Sequence, residues 1–169
     1  MATPNERLLY AAKNDAAEML TAVLEGQEEF DVNWQDGLGN TALHYAASSP
    51  SPEALGILLD TDGTDVDLQN RLERATPLHL AVKLENEAAR QGVIEMLLDA
   101  GADPNIKDRH SLRVQDYLRP DSSPVDKDIL RAIREALADR TRGSVANNAD
   151  LVDDDDDGEP GSGSGSDED

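Results

Sequence analysis

Three histidines, at positions 44, 79 and 110 of this 169-residue sequence, are the side chains best placed to do chemistry near neutral pH. They could ligate a metal or act as general bases, and the choice depends on what stands with them. There is no cysteine. That removes thiolate zinc sites, thiol nucleophiles and disulfides. No H-E-x-x-H, no G-x-S-x-G and no glycine-rich phosphate loop occurs. His110 has no acid or serine at a spacing that would make a catalytic group. His44 and His79 stand in nearly the same setting, TALHYAA (41–47) and TPLHLAV (76–82). Helices carrying them in a stack would lie about 8–10 Å apart. That is too far for two imidazoles to share one zinc, whose bonds to nitrogen are about 2 Å. The pair reads as one structural phrase written twice. We expect no catalytic residue, no metal and no cofactor.

The phrase itself begins a helix. Thr at an N-cap offers its oxygen to an orphan backbone N–H, and Pro at the next position loses no hydrogen bond. Thr76-Pro77 is the strong form and Thr41-Ala42 the weaker copy. The small pairs Ala46-Ala47 and Ala81-Val82 let a partner helix approach closely. Three further segments align: GQEEFDVNWQDGLGN from Gly26, GTDVDLQNRLERA from Gly63, and GADPNIKDRHSL from Gly101. Each runs from glycine through an Asp-x-Asn or Asp-x-Asp stretch to an apolar residue and then turn residues. At Gly101 the glycine supplies the positive φ that leaves a helix, and Asp36-Gly37 and Asn70 supply turn chemistry. Apolar helical stretches lie between: 16–25, 52–60, 92–100 and 126–137. Trp34, the single tryptophan, shares its place with Leu68 and Ile106, which favours packing beneath the turns over an interface anchor.

TPLHLAV followed by MLLDAGADPN (96–105) closely resembles the ankyrin repeat, and the resemblance covers about residues 5–138. It implies an all-α repeat solenoid of stacked helix-turn-helix units linked by β-hairpin-like loops. We expect residues 1–4 to be flexible and 5–142 to form the repeat domain. Its repeats are 5–35, 36–70, 71–108 and 109–138, the first and last degenerate caps. Residues 143–169 should form a disordered acidic Gly/Ser tail. The Thr41-to-Thr76 spacing implies two residues more than the family period of about 33, best placed near Ser49-Pro50 and Arg71-Leu72. KLENEAARQG (83–92) is longer than the usual inter-helix turn, so it should lengthen a helix or bulge. The resemblance assigns Thr41, His44, Thr76, Pro77, His79, Gly101 and Asp103 to the structural motif, the histidines bonding within and between repeats. It places protein contacts at the hairpin tips (Asp36, Leu38, Asn40, Leu72, Glu73, Arg74, Arg109, His110) and on the first helices (Ser48, Ser49, Lys83, Leu84).

Charge suggests the partner. The formal net charge is −21. Residues 14–70 hold twelve acids and no base, and residues 150–169 hold ten acids and no base. Such a surface repels nucleic-acid phosphates and anionic membranes and attracts basic proteins. Aromatics are only 3% of the chain, which disfavours a sandwich or barrel. No stretch is long and apolar enough to span a bilayer, and the N-terminus does not read as a secretory signal. We therefore expect a non-enzymatic scaffold, adaptor or escort (chaperone) for a basic protein. The alternative is an inhibitory or regulatory subunit that holds an enzyme or assembly in one state. The expected setting is cytoplasmic and also nuclear, with the free protein a monomer. Ser164 and Ser166, followed by acids, match the substrate pattern of acidophilic kinases.

Overall fold

The computed structural model describes residues 2–147; the acidic tail, with Ser164 and Ser166, lies outside them. The chain divides into two compact units, 1–136 and 137–169. The first unit holds paired helices: α1 (Pro4–Lys13) with α2 (Ala17–Leu24), α3 (Ala42–Ser48) with α4 (Pro52–Asp60), and α5 (Pro77–Val82) with α6 (Glu87–Asp99). A 3-10 turn (Val114–Tyr117) then stands where the next first helix would be, and α7 (Pro124–Asn147) follows. Only residues 124–136 of α7 belong to the first unit. No strand occurs among the described residues.

The first helices are too short to exist alone, since isolated helices under about 12–15 residues are marginal in water. Caps and stacking hold them. The Thr41 and Thr76 hydroxyls accept the N–H of His44 and His79, and proline opens α1, α4 and α5. Thr41 makes the same cap as Thr76 although alanine, not proline, follows it. In one row α1 packs on α3 and α3 on α5; in the other α2 packs on α4 and α4 on α6. Leu8, Leu43 and Leu78 from the first row are fully buried, as are Leu20, Leu55, Leu58, Ile94 and Leu97 from the second. Ala11, Ala12, Ala46, Ala47 and Ala81, all 0% exposed, keep the first row close. Ile129 and Ile133 of α7 close the core at the C-terminal end.

The long segment 83–92 lengthens a helix. α6 has 13 residues against 9 in α4. Its extra N-terminal turn carries Arg90, which is buried. The Arg90 guanidinium donates to Asp126 Oδ1 through Nε (3.0 Å) and lies 2.8 Å from it through Nη2. Nη1 donates to the Leu84 carbonyl at 2.7 Å. Asp126 Oδ2 accepts the Arg119 N–H at 2.8 Å, and the Ser123 hydroxyl donates to Glu87 at 2.7 Å. The insertion thus docks the start of α7 onto α6.

Candidate functional site

His44 Nδ1 accepts the Thr41 N–H at 3.1 Å, with the Thr41 hydroxyl 2.9 Å away, and Nε2 lies 2.9 Å from the Ala75 carbonyl, to which it donates. His79 repeats this with Thr76 (3.2 Å) and the Leu112 carbonyl (2.9 Å). This network assigns the neutral Nε2–H tautomer. Burial pulls both pKa values down, and the accepting carbonyls only partly offset it. Both ring nitrogens are engaged, so neither offers a lone pair to a metal or a substrate proton. Among the described residues no group of three or more His, Cys, Asp or Glu is arranged to hold a metal.

The hairpins are built on one recurring device. Asp36 Oδ1 accepts the N–H of Leu38 (2.9 Å) and Asn40 (3.0 Å), and its other oxygen receives the Tyr45 hydroxyl. Asp108 does the same with His110, Leu112 and Tyr117. Burial alone would raise these carboxyls. The tyrosine and amide hydrogen bonds outweigh it and hold both below the usual carboxylate value. Tyr117 is pushed up to about 12, by burial first and by Asp108 second. The middle hairpin uses Asn70, whose Oδ1 accepts from Glu73 (3.0 Å) and Ala75 (3.1 Å). There the tyrosine is replaced by Leu80. The Asn70 hairpin closes from residue 70 to 75, one residue wider than 36–40 and 108–112. The surplus residue near Arg71-Leu72 is that widening. Left-handed backbone occurs once in each turn, at Gly39 (φ 83°), Arg74 (φ 51°) and Ser111 (φ 61°). Of the glycines that begin the three aligned segments, Gly63 and Gly101 have positive φ and Gly26 does not.

The tips are tied to one another. The Arg71 N–H donates to the Leu38 carbonyl and the Arg109 N–H to the Glu73 carbonyl, both at 2.9 Å. Gln35 and Gln69 bridge successive hairpins by donating to the Gln69 and Lys107 carbonyls. Behind them the Asp103 N–H donates to Asp67 Oδ1 at 2.9 Å. Trp34, Leu68 and Ile106, at matching places, are each half-buried.

The expected contact residues therefore divide. Asp36 is consumed inside its hairpin, Asn40 accepts the Asn70 amide (3.0 Å), and Leu84 is half-buried with its carbonyl on Arg90. Glu73 pairs with Lys83 at 3.4 Å, and Lys83 also lies 5.1 Å from the Tyr117 ring centroid. Ser49 is half-buried; Ser48, Arg74, Arg109 and His110 are exposed. Leu38 and Leu72 are 50% and 57% exposed, unlike nearly every other aliphatic side chain of the stack. Arg71, which sequence reasoning passed over as a contact, stands exposed beside them.

The family model described as Ankyrin repeats (3 copies) matches residues 8–108. The chain is similar to the Ankyrin repeat-containing protein YGL242C of Saccharomyces cerevisiae, 32% identical over 165 residues, 90% of this chain and 91% of that protein. It is also similar to Neurogenic locus notch homolog protein 1 of Danio rerio, 35% identical over 97 residues, 57% of this chain but 4% of that protein. Among solved structures it resembles an ankyrin repeat domain from Acinetobacter baumannii, with a TM-score of 0.69 and 25% identity over 80% of this chain and 69% of that one.

Proposed function

The chain belongs to the ankyrin repeat family, a family of protein–protein interaction modules, and from that premise we propose that it is a non-enzymatic escort or adaptor for a basic protein. The observation that carries the reading is where the acids sit. Of the twelve acidic residues between 14 and 70, only Asp36 lies in a hairpin tip. The other eleven lie in the helix pairs or in the loops that lead from α2 and α4 to the hairpins; no basic residue stands among them in the sequence, and Arg7 of α1 pairs with one of them, Glu28. Glu25, Glu29, Asp60 and Asp62 are exposed. The acidic field therefore gathers on the second-helix side of the N-terminal half, where it attracts a cationic client and speeds its encounter.

The test is association of a lysine- and arginine-rich 20-residue peptide with the full chain, followed by stopped-flow fluorescence at several salt concentrations. The peptide should bind with a rate that falls steeply with salt. Glu25→Gln, Glu29→Gln, Asp60→Asn and Asp62→Asn together should slow association by roughly tenfold or more. Equal rates for the native and neutralised chains would reject this face as the client site.

A further inference from the structure

The net charge of −21 conceals a surface of the opposite sign. The tips of the second and third hairpins carry Arg71, Arg74 and Arg109, all exposed. Arg71 lies across the first hairpin: its N–H is bonded to the Leu38 carbonyl, and a Cβ on Gly39 would come 2.8 Å from Arg71 Cγ. Arg109 lies across the second, its guanidinium donating to the Leu72 carbonyl at 2.8 Å. Among the described residues none of the three has a carboxylate within 4.0 Å. The acids nearby are already committed: Asp36 and Asp108 to tyrosines and amides, Glu73 to Lys83. The neighbouring first helices α3 and α5 contain no acid and no arginine or lysine. The two exposed leucines, Leu38 and Leu72, sit within this arginine row and are joined to it by the tip-to-tip bonds.

We propose that this ridge docks an acidic protein segment bearing aliphatic side chains. It would be a site separate from the acidic face that takes the basic client. Leu38 and Leu72 bury the partner's apolar side chains. Arg71, Arg74 and Arg109 meet its carboxylates, for which a planar guanidinium with parallel donors is the fitting group. The leucines favour a peptide over a nucleic acid, since phosphate and sugar give them nothing to cover. The inference rests on the general reading that the tips contact protein, but not on the client being basic.

The probe is a random dodecapeptide library displayed on phage and selected on the full chain. The enriched sequences should combine several Asp or Glu with Leu, Ile or Val. A synthetic peptide of that consensus, followed by fluorescence anisotropy, should bind at least tenfold more weakly to Arg71→Gln/Arg74→Gln/Arg109→Gln and to Leu38→Ser/Leu72→Ser. The first variant should also flatten the salt dependence. Melting curves identify any loss caused by unfolding; Arg74→Gln alone, which leaves the Arg71–Leu38, Arg109–Glu73 and Arg109–Leu72 bonds in place, then supplies the reading and should weaken binding severalfold. Enrichment of basic or uncharged sequences would overturn the proposal. So would unchanged binding by the folded variants, or tighter binding of single-stranded RNA than of the peptide. Binding that appears only after Asp153 to Asp157 are changed to Asn would assign the ridge to the chain's own acidic segment instead. Because the basic-peptide experiment probes a different face, either reading can fail without the other.

Discussion

Arg90→Met is the substitution whose cost follows most directly from the structure. It keeps the aliphatic stem and removes the guanidinium, so the bonds to Asp126 and to the Leu84 carbonyl are lost together. Asp126 keeps the Arg119 N–H and the N-terminal turn of α7, but it stays a buried anion, its side chain only 9% exposed. Breaking a buried pair by removing one partner costs about 3–5 kcal/mol. At roughly 2–4 °C per kcal/mol for a chain of this size, the melting temperature should fall by about 6–20 °C. Changing Asp126→Asn in the same chain removes the stranded charge. The double variant should therefore be less destabilised than the two single losses added together, with a coupling of about 0.5–3 kcal/mol. Arg131→Ala is the control, because its partner Asp128 is exposed and such surface pairs contribute about 0–1 kcal/mol. Urea melts of all four chains measure the cycle. An Arg90→Met chain as stable as wild type, or strictly additive losses, would refute the view that the α6 extension docks α7.

Stability should fall as pH drops below about 6.5, the unfolded histidine value, because folded His44 and His79 stay neutral to lower pH while the unfolded chain takes up protons. Urea midpoints between pH 8 and 5 should show this slope, and replacing both histidines by Asn should remove most of it; a flat native profile would contradict the clasp. A second loss should begin below about pH 4, where Asp36 and Asp108 are held ionised only in the folded state. Gly39→Ala should cost about 1–3 kcal/mol for its left-handed backbone alone, and more because the new Cβ would come 2.3 Å from the Arg71 nitrogen. Gly37→Ala, which meets nothing within 4 Å, should change the melting temperature little.

What could be read from the sequence was whatever repeats. The caps at Thr41 and Thr76 and the clasping histidines recur at fixed spacing, and a local physical rule explains each. The Asp36–Tyr45 and Asp108–Tyr117 pairs were equally repetitive, nine residues apart in both cases. They became visible only once the middle hairpin was seen to lack both partners, with Asn70 and Leu80 in their places. The Arg90–Asp126 pair had no such signal, because it joins an insertion to a degenerate end across 36 residues. The arginine ridge was hidden for a different reason. Net charge sums a surface whose acids and bases face different ways, and only the fold shows which acids are already bonded.

The clasp has a direction. His44 waits for the carbonyl of Ala75, 31 residues later, and His79 for that of Leu112, 33 residues later. The matching place in α1 is Leu9, which can make no such bond. On a ribosome adding about 5–20 residues per second, each unit would stand unlatched for some 2–7 s until the next turn emerges. The molecule is therefore secured from behind, one unit at a time, and a nascent chain halted before Leu112 leaves the His79 Nε2–H to water, without the carbonyl and the Tyr117 ring that meet it in the finished stack.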